Sequence, residues 1–157
     1  MPRQVLSDQV LARPALKAWG GLLYGHKALT RELSARLLAA HGLTLNDFDV
    51  LAQLSRAPEG RLRRVDLVER LLLTPSGITR LLDGLERAGY VAKATCDTDA
   101  RVTYAVLTEL GYEKLRDASG THVADIENAL ARLDGDELET LGSLLARLAE
   151  PDQPDAC

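Results

Sequence analysis

Between Thr74 and Tyr90 the chain specifies one helix completely, with its start, its buried face and its stop. Thr74-Pro75 pairs a hydroxyl cap with proline at the first helical position, where its missing N–H costs nothing. Ile78, Leu81, Leu82 and Leu85 then fall at i, i+3, i+4 and i+7, a single apolar face. Ala88-Gly89-Tyr90 ends the helix over 75–88. Residues 65–71 read as a shorter helix just upstream, joined by the tight turn Leu72-Leu73-Thr74. Downstream the texture changes. Val91–Thr95 and Arg101–Leu107 are rich in β-branched residues and flank the polar stretch Cys96-Asp97-Thr98-Asp99-Ala100, which predicts a β-hairpin. Two helices about a tight turn followed by a two-stranded ribbon make a winged helix-turn-helix.

Helical spacing covers most of the remainder. Residues 5–13 form a short amphipathic piece, and Pro14 breaks it or opens the next helix. A long helix over 15–40 carries Leu16, Trp19, Leu22, Leu23, Leu29, Leu33, Leu37 and Leu38 on or near one stripe and ends at His41-Gly42. Thr44 opens a helix with Phe48, Leu51 and Leu54 on one face, stopped by Pro58-Glu59-Gly60. Arg61-Leu62-Arg63-Arg64 leads straight into helix 65–71. Thr108 caps a helix to about residue 130, and Asp134 caps a last one with Leu138, Leu141, Leu144, Leu145 and Leu148 at helical spacing. The expected architecture is mainly α with a small β-hairpin wing. Residues 1–42 and 108–150 are the flanking helical regions, 43–107 the winged helix-turn-helix and 151–157 a tail.

Composition narrows the function. Leucine occurs 31 times and aromatic residues make up only 4%, so the core is aliphatic. No apolar run approaches the roughly 18 residues of a membrane span, and Met1-Pro2-Arg3-Gln4 does not open a signal peptide. Cys96 and Cys157 cannot form a disulfide framework, so a reducing, cytoplasmic location is the default. The net charge of −4 runs against nucleic-acid binding, but its distribution does not: the acid is concentrated after residue 117, leaving room for a basic surface elsewhere. His26, His41, His122 and Cys96 show no metal-ligand spacing, and neither a nucleophile–base motif nor a phosphate-binding glycine loop occurs. No enzyme and no cofactor are expected.

With its apolar stripe anchored in the core, helix 75–88 turns Ser76, Gly77, Thr79, Arg80, Asp83 and Arg87 outward. In a helix-turn-helix this face enters the major groove of double-stranded DNA. Thr74, Ser76 and Thr79 offer hydroxyls to phosphate or base edges near the helix N-terminus, itself favourable to phosphate. Gly77 allows close backbone approach, and Arg80 suits bidentate contact with guanine. Arg61, Arg63 and Arg64 are candidates for phosphate contacts that position without reading sequence. At the hairpin tip Asp99 is placed to hold Arg101 by a charged hydrogen bond for insertion into a minor groove.

These signals together resemble the MarR family of transcriptional regulators. The segments that carry the likeness are Thr44 to Leu54, Leu73 to Asp83, Leu85 to Val91, the wing triplet Asp99-Ala100-Arg101, and Leu107-Thr108-Glu109-Leu110-Gly111. The resemblance implies a homodimer in which the N- and C-terminal helices of two chains intertwine. Such a dimer, most simply a repressor, reads a pseudo-palindromic operator with recognition helices about 34–36 Å apart. It also implies a small anionic or phenolic effector in a cleft between the dimer helices and the winged helix, with Trp19, Tyr24, His26, His41, Phe48 and Asp49 as candidate lining, although Trp19 and Phe48 also fit core positions. The chain departs from the family pattern at Gly84, where a basic residue is common, and at a wing whose tip has Arg101 alone beside Asp97 and Asp99. Both lower non-specific phosphate affinity. They also motivate a rival reading, a protein-interaction module that no longer reads DNA.

Overall fold

Four helix starts rest on side-chain caps, each closed within three residues in sequence. Thr44 accepts from the Asp47 N–H at 3.1 Å while the Asp47 carboxylate takes the Thr44 N–H at 2.8 Å. Asp134 and Glu137 form the same reciprocal box. The hydroxyls of Thr74 and Thr108 accept from the N–H groups of Gly77 and Gly111. Each cap satisfies a backbone donor that the helix itself cannot.

The computed structural model describes residues 12–71, 73–96, 98, 99 and 101–149. The piece expected over 5–13 lies outside these except for its last two residues. Leu72, Asp97, Ala100 and the tail with Cys157 also lie outside. The elements run α1 (Pro14–His41), α2 (Leu45–Arg56), a 3-10 turn (Pro58–Gly60), β1 (Arg61–Arg63), α3 (Arg64–Leu71), α4 (Pro75–Arg87), β2 (Val91–Thr95), β3 (Thr103–Leu107), α5 (Glu109–Leu130) and α6 (Gly135–Ala149). Gly42 closes α1 in the left-handed conformation, φ 67°, and returns its N–H to the Leu38 carbonyl.

The core lies where α2, α3, α4, the sheet, the end of α1 and the start of α5 meet. Leu37, Leu51, Leu54, Leu67, Ile78 and Leu82 are its largest fully buried side chains. Each contributes about 1.5–3 kcal/mol through burial. Phe48 packs against this core. Trp19 does not: it is 58% exposed on α1, against the core placement its spacing allowed. Its neighbours on that stripe, Leu16, Leu22 and Leu23, are exposed as well among the described residues. None of the side chains of α6 is buried either.

Two boundaries differ from expectation. The wing is a three-stranded antiparallel sheet in the order β1-β3-β2, not a two-stranded ribbon. Residues 61–63, which do lead directly into the helix that starts at Arg64, pair with β3 as Arg61–Val106, Leu62–Ala105 and Arg63–Tyr104. Three residues are too few to show alternation in sequence, and only pairing with β3 makes them a strand. The second hairpin strand starts at Thr103 and not at Arg101. Asp99 delays the strand: its carboxylate accepts the Arg101 N–H and its carbonyl the Val102 N–H, both at 3.0 Å.

Candidate nucleic-acid interface

Helices α3 and α4 form the helix-turn-helix. Ile78, Leu82 and Leu85 bury one face of α4, and Leu81 is half-buried beside them. Ser76, Thr79, Arg80, Asp83 and Arg87 are exposed on the other face. The Thr79 hydroxyl donates to the Pro75 carbonyl at 2.9 Å, and Ser76 lies 3.2 Å from the capping Thr74 oxygen. Both hydroxyl oxygens retain acceptor capacity. Gly77 has a local reason to be glycine: a Cβ there would stand 3.1 Å from Thr74 Oγ1, crowding the cap.

The arginines around this face fall into two groups. Arg61 forms an ion pair with the Glu59 carboxylate at 2.6 Å and lies over the Tyr104 ring. Arg63 grips both oxygens of Asp66, at 2.8 and 3.0 Å. This bidentate bond holds the Asp66 carboxyl below the ordinary aspartate range, against a smaller opposing effect of burial. Arg87 returns its Nε to the Asp83 carbonyl at 3.1 Å. Arg64, Arg80 and Arg101, by contrast, have neither a carboxylate nor a carbonyl partner for their side chains among the described residues. At the wing, Asp99 acts differently from the expected charged clamp. Its carboxylate takes the backbone N–H of Arg101 and not the guanidinium, because a short acidic side chain closes most readily on the N–H two residues ahead. Asp99 therefore shapes the turn and leaves the Arg101 side chain exposed. Cys96 is half-buried at the base of this turn, with its sulfur 3.2 Å from the Thr98 hydroxyl.

A separate cavity of about 520 Å³ lies between α2 and α5. Phe48 and Asp49 line it, joined by Ser55, Arg56 and His122. His122 is 7% exposed, its ring centroid stands 4.6 Å from that of Phe48, and its Nδ1 is buried without a hydrogen-bond partner among the described residues. The other candidate lining residues are elsewhere. Trp19, Tyr24 and His26 are exposed on α1. His41 bridges to α5, with Nε2 2.5 Å from the Thr121 hydroxyl and Nδ1 3.3 Å from the Asp117 carboxylate. Sequence reasoning passed over His122 as a cavity residue. The available signal was its place seven residues after the core Leu115 on α5, which puts a histidine on an apolar face.

An amphipathic helix-turn-helix with a sheet wing, set between two apolar-faced helical regions, defines a winged-helix protein of the transcription-regulator type. The comparisons with known proteins agree. The sequence profile of the MarR family matches residues 41–102. The HTH-type transcriptional regulator MhqR of Bacillus subtilis is 32% identical over 108 residues, 69% of this chain and 73% of that one. The HTH-type transcriptional repressor Rv2887 of Mycobacterium tuberculosis is 31% identical over 129 residues, covering 82% and 91%. Among solved structures, Sco3205, a MarR family transcriptional regulator from Streptomyces coelicolor in complex with DNA, superposes with a TM-score of 0.82 at 28% identity, covering 99% of this chain and 94% of that one. The chain belongs to the MarR family. Among the described residues no helix is long and apolar enough to cross a membrane.

Proposed function

We propose that the protein is a sequence-specific regulator of transcription that binds double-stranded DNA as a homodimer and represses until an effector releases it. The observation that carries the DNA reading is the exposed outer face of α4, where Ser76, Thr79 and an Arg80 without an ion pair among the described residues stand over a buried apolar stripe. The DNA complex of Sco3205 and the repressor name of Rv2887 support extending both properties to this chain. In this reading α4 lies in the major groove, and Arg101 at the wing reaches the adjacent minor groove.

Dimerisation is supported by two uncovered apolar faces. Leu16, Trp19, Leu22 and Leu23 are exposed on α1, and Leu138, Leu141, Leu144, Leu145 and Leu148 on α6. Surfaces of this kind mark association sites. The cavity between α2 and α5 is the place for a small anionic or phenolic effector. Its aromatic wall of Phe48 and His122 suits a flat ring, and the orphaned Nδ1 suits a polar substituent.

Selection of bound duplexes from a random DNA pool tests the reading. A two-fold symmetric site is expected to emerge, and Arg80→Ala and Arg101→Ala are each expected to weaken its binding at moderate salt. If neither change matters, the DNA-reading assignment fails and the interaction-module alternative takes its place.

A further inference from the structure

Among the arginines at the helix-turn-helix and wing, Arg64 has the least settled surroundings. Its Nη2 is shielded from solvent and has no hydrogen-bond partner among the described residues. A guanidinium carries five N–H donors and no acceptor, so a desolvated, unpartnered nitrogen is costly. Two clefts share Arg64 and Val65. One, of about 300 Å³, runs to Pro75 and Thr79 on the first turns of α4. The other, of about 200 Å³, runs to Arg63, Arg101 and Thr103 at the wing. Glu69 also lines the first cleft but forms no ion pair with Arg64. Arg64 thus stands between the recognition helix and the wing. In the binding mode above these two elements enter neighbouring grooves, and a sugar-phosphate backbone runs between neighbouring grooves.

We propose that Arg64 clamps the DNA backbone phosphate lying between the recognition helix and the wing, while Arg61 and Arg63 hold the protein's own chain. The proposal rests on the DNA reading and deepens it. Arg64 lines both clefts, and a phosphate seated there offers acceptors to its guanidinium, whose planar fork suits phosphate oxygens. Arg61 and Arg63 are already neutralised by Glu59 and Asp66, so they displace few counterions from DNA. Arg64 releases its phosphate's counterions in full, and each phosphate so neutralised contributes about 0.9 to the slope of log affinity against log salt.

The test is a salt titration of binding to random-sequence duplex DNA by fluorescence anisotropy, with urea midpoints to monitor folding. Arg64→Ala and Arg64→Gln are expected to lower the slope by about 0.9, Arg64→Lys to retain it, and Arg63→Ala to leave it unchanged. Arg64→Gln keeps the side chain's stem, so a lowered slope at an unchanged urea midpoint is not a folding defect. A wild-type slope in Arg64→Gln, or an equal loss in Arg63→Ala, overturns the proposal. Replacing chloride by inorganic phosphate at equal ionic strength is expected to have no specific effect. A phosphate-specific loss that Arg64→Gln abolishes assigns the cleft to free phosphate and overturns the backbone assignment. Failure of the wild-type protein to bind any duplex removes the DNA reading itself.

Discussion

The hydroxyl of Thr108 donates to the carbonyl of Gly89 at 2.6 Å, tying the start of α5 to the residue that ends the recognition helix region. The same oxygen accepts the Gly111 N–H at 3.0 Å, and the Thr108 N–H donates to the Tyr90 carbonyl at 3.1 Å. One residue thus caps α5 and fixes it against the turn at Gly89, whose φ of 79° needs glycine. Thr108→Val keeps the shape and removes both hydroxyl bonds. It is expected to lower stability by about 1–2 kcal/mol, read as a reduced urea midpoint with an unchanged slope.

Gly111 shows how close this junction is. A Cβ at this position would collide with the Tyr90 carbonyl and with Leu107 Cδ1. The obstacle includes backbone, which cannot rotate away. Gly111→Ala is therefore expected to cost at least 1–3 kcal/mol, roughly the range of overpacked cores. Gly120→Ala, where nothing lies within 4 Å, serves as the matched control. Equal midpoints for the two variants would count against this packing.

The Arg63–Asp66 pair predicts a pH dependence. The folded protein lowers the Asp66 pKa, chiefly through the hydrogen bond from Arg63. The pair's stabilisation is therefore complete above the unfolded carboxylate's pKa, roughly 3.9, and is lost as pH falls through the lower folded value. Asp66→Asn is expected to lower the melting temperature slightly at pH 7, with the difference vanishing near the acid limit of folding. The effect is small because both side chains are partly exposed. A difference that grows on acidification would contradict the assignment.

The uncovered leucines on α6 make the dimer testable without DNA. Leu141→Glu with Leu145→Glu places two charges on the proposed interface of a helix that has no fully buried side chain among the described residues. Sedimentation is expected to show a dimer for the wild type and a monomer for the double variant at micromolar concentration. A monomeric wild type would end the intertwined-helix picture.

His122 gives a probe of the effector cavity. His122→Phe preserves an aromatic ring beside Phe48 and removes the orphaned nitrogen. Stability is expected to change by less than about 1.5 kcal/mol. Release of the selected duplex by a panel of phenols and aromatic carboxylates is expected to need higher concentrations. Unchanged release would place recognition away from His122.

The sequence by itself determined the features whose causes are local. Thr44, Thr74, Thr108 and Asp134 start helices through bonds spanning three residues, and the stripe from Ile78 to Leu85 follows from helical geometry alone. Within residues 12–149 the order of the helices, the helix-turn-helix and the β2–β3 hairpin were legible for that reason. Tertiary structure decided what depends on residues distant in the chain. Arg61–Arg63 is a strand only because β3 pairs with it. Phe48 and His122 share a cavity only because α5 packs on α2. The conformations of the turn and of the α3 start decided which arginines carry a spare charge. In sequence Arg61, Arg63 and Arg64 are equivalent, but in the fold Glu59 and Asp66 take the first two and leave the third. An ion pair forms where side-chain ends meet, and that meeting depends on backbone geometry that residue types alone do not specify.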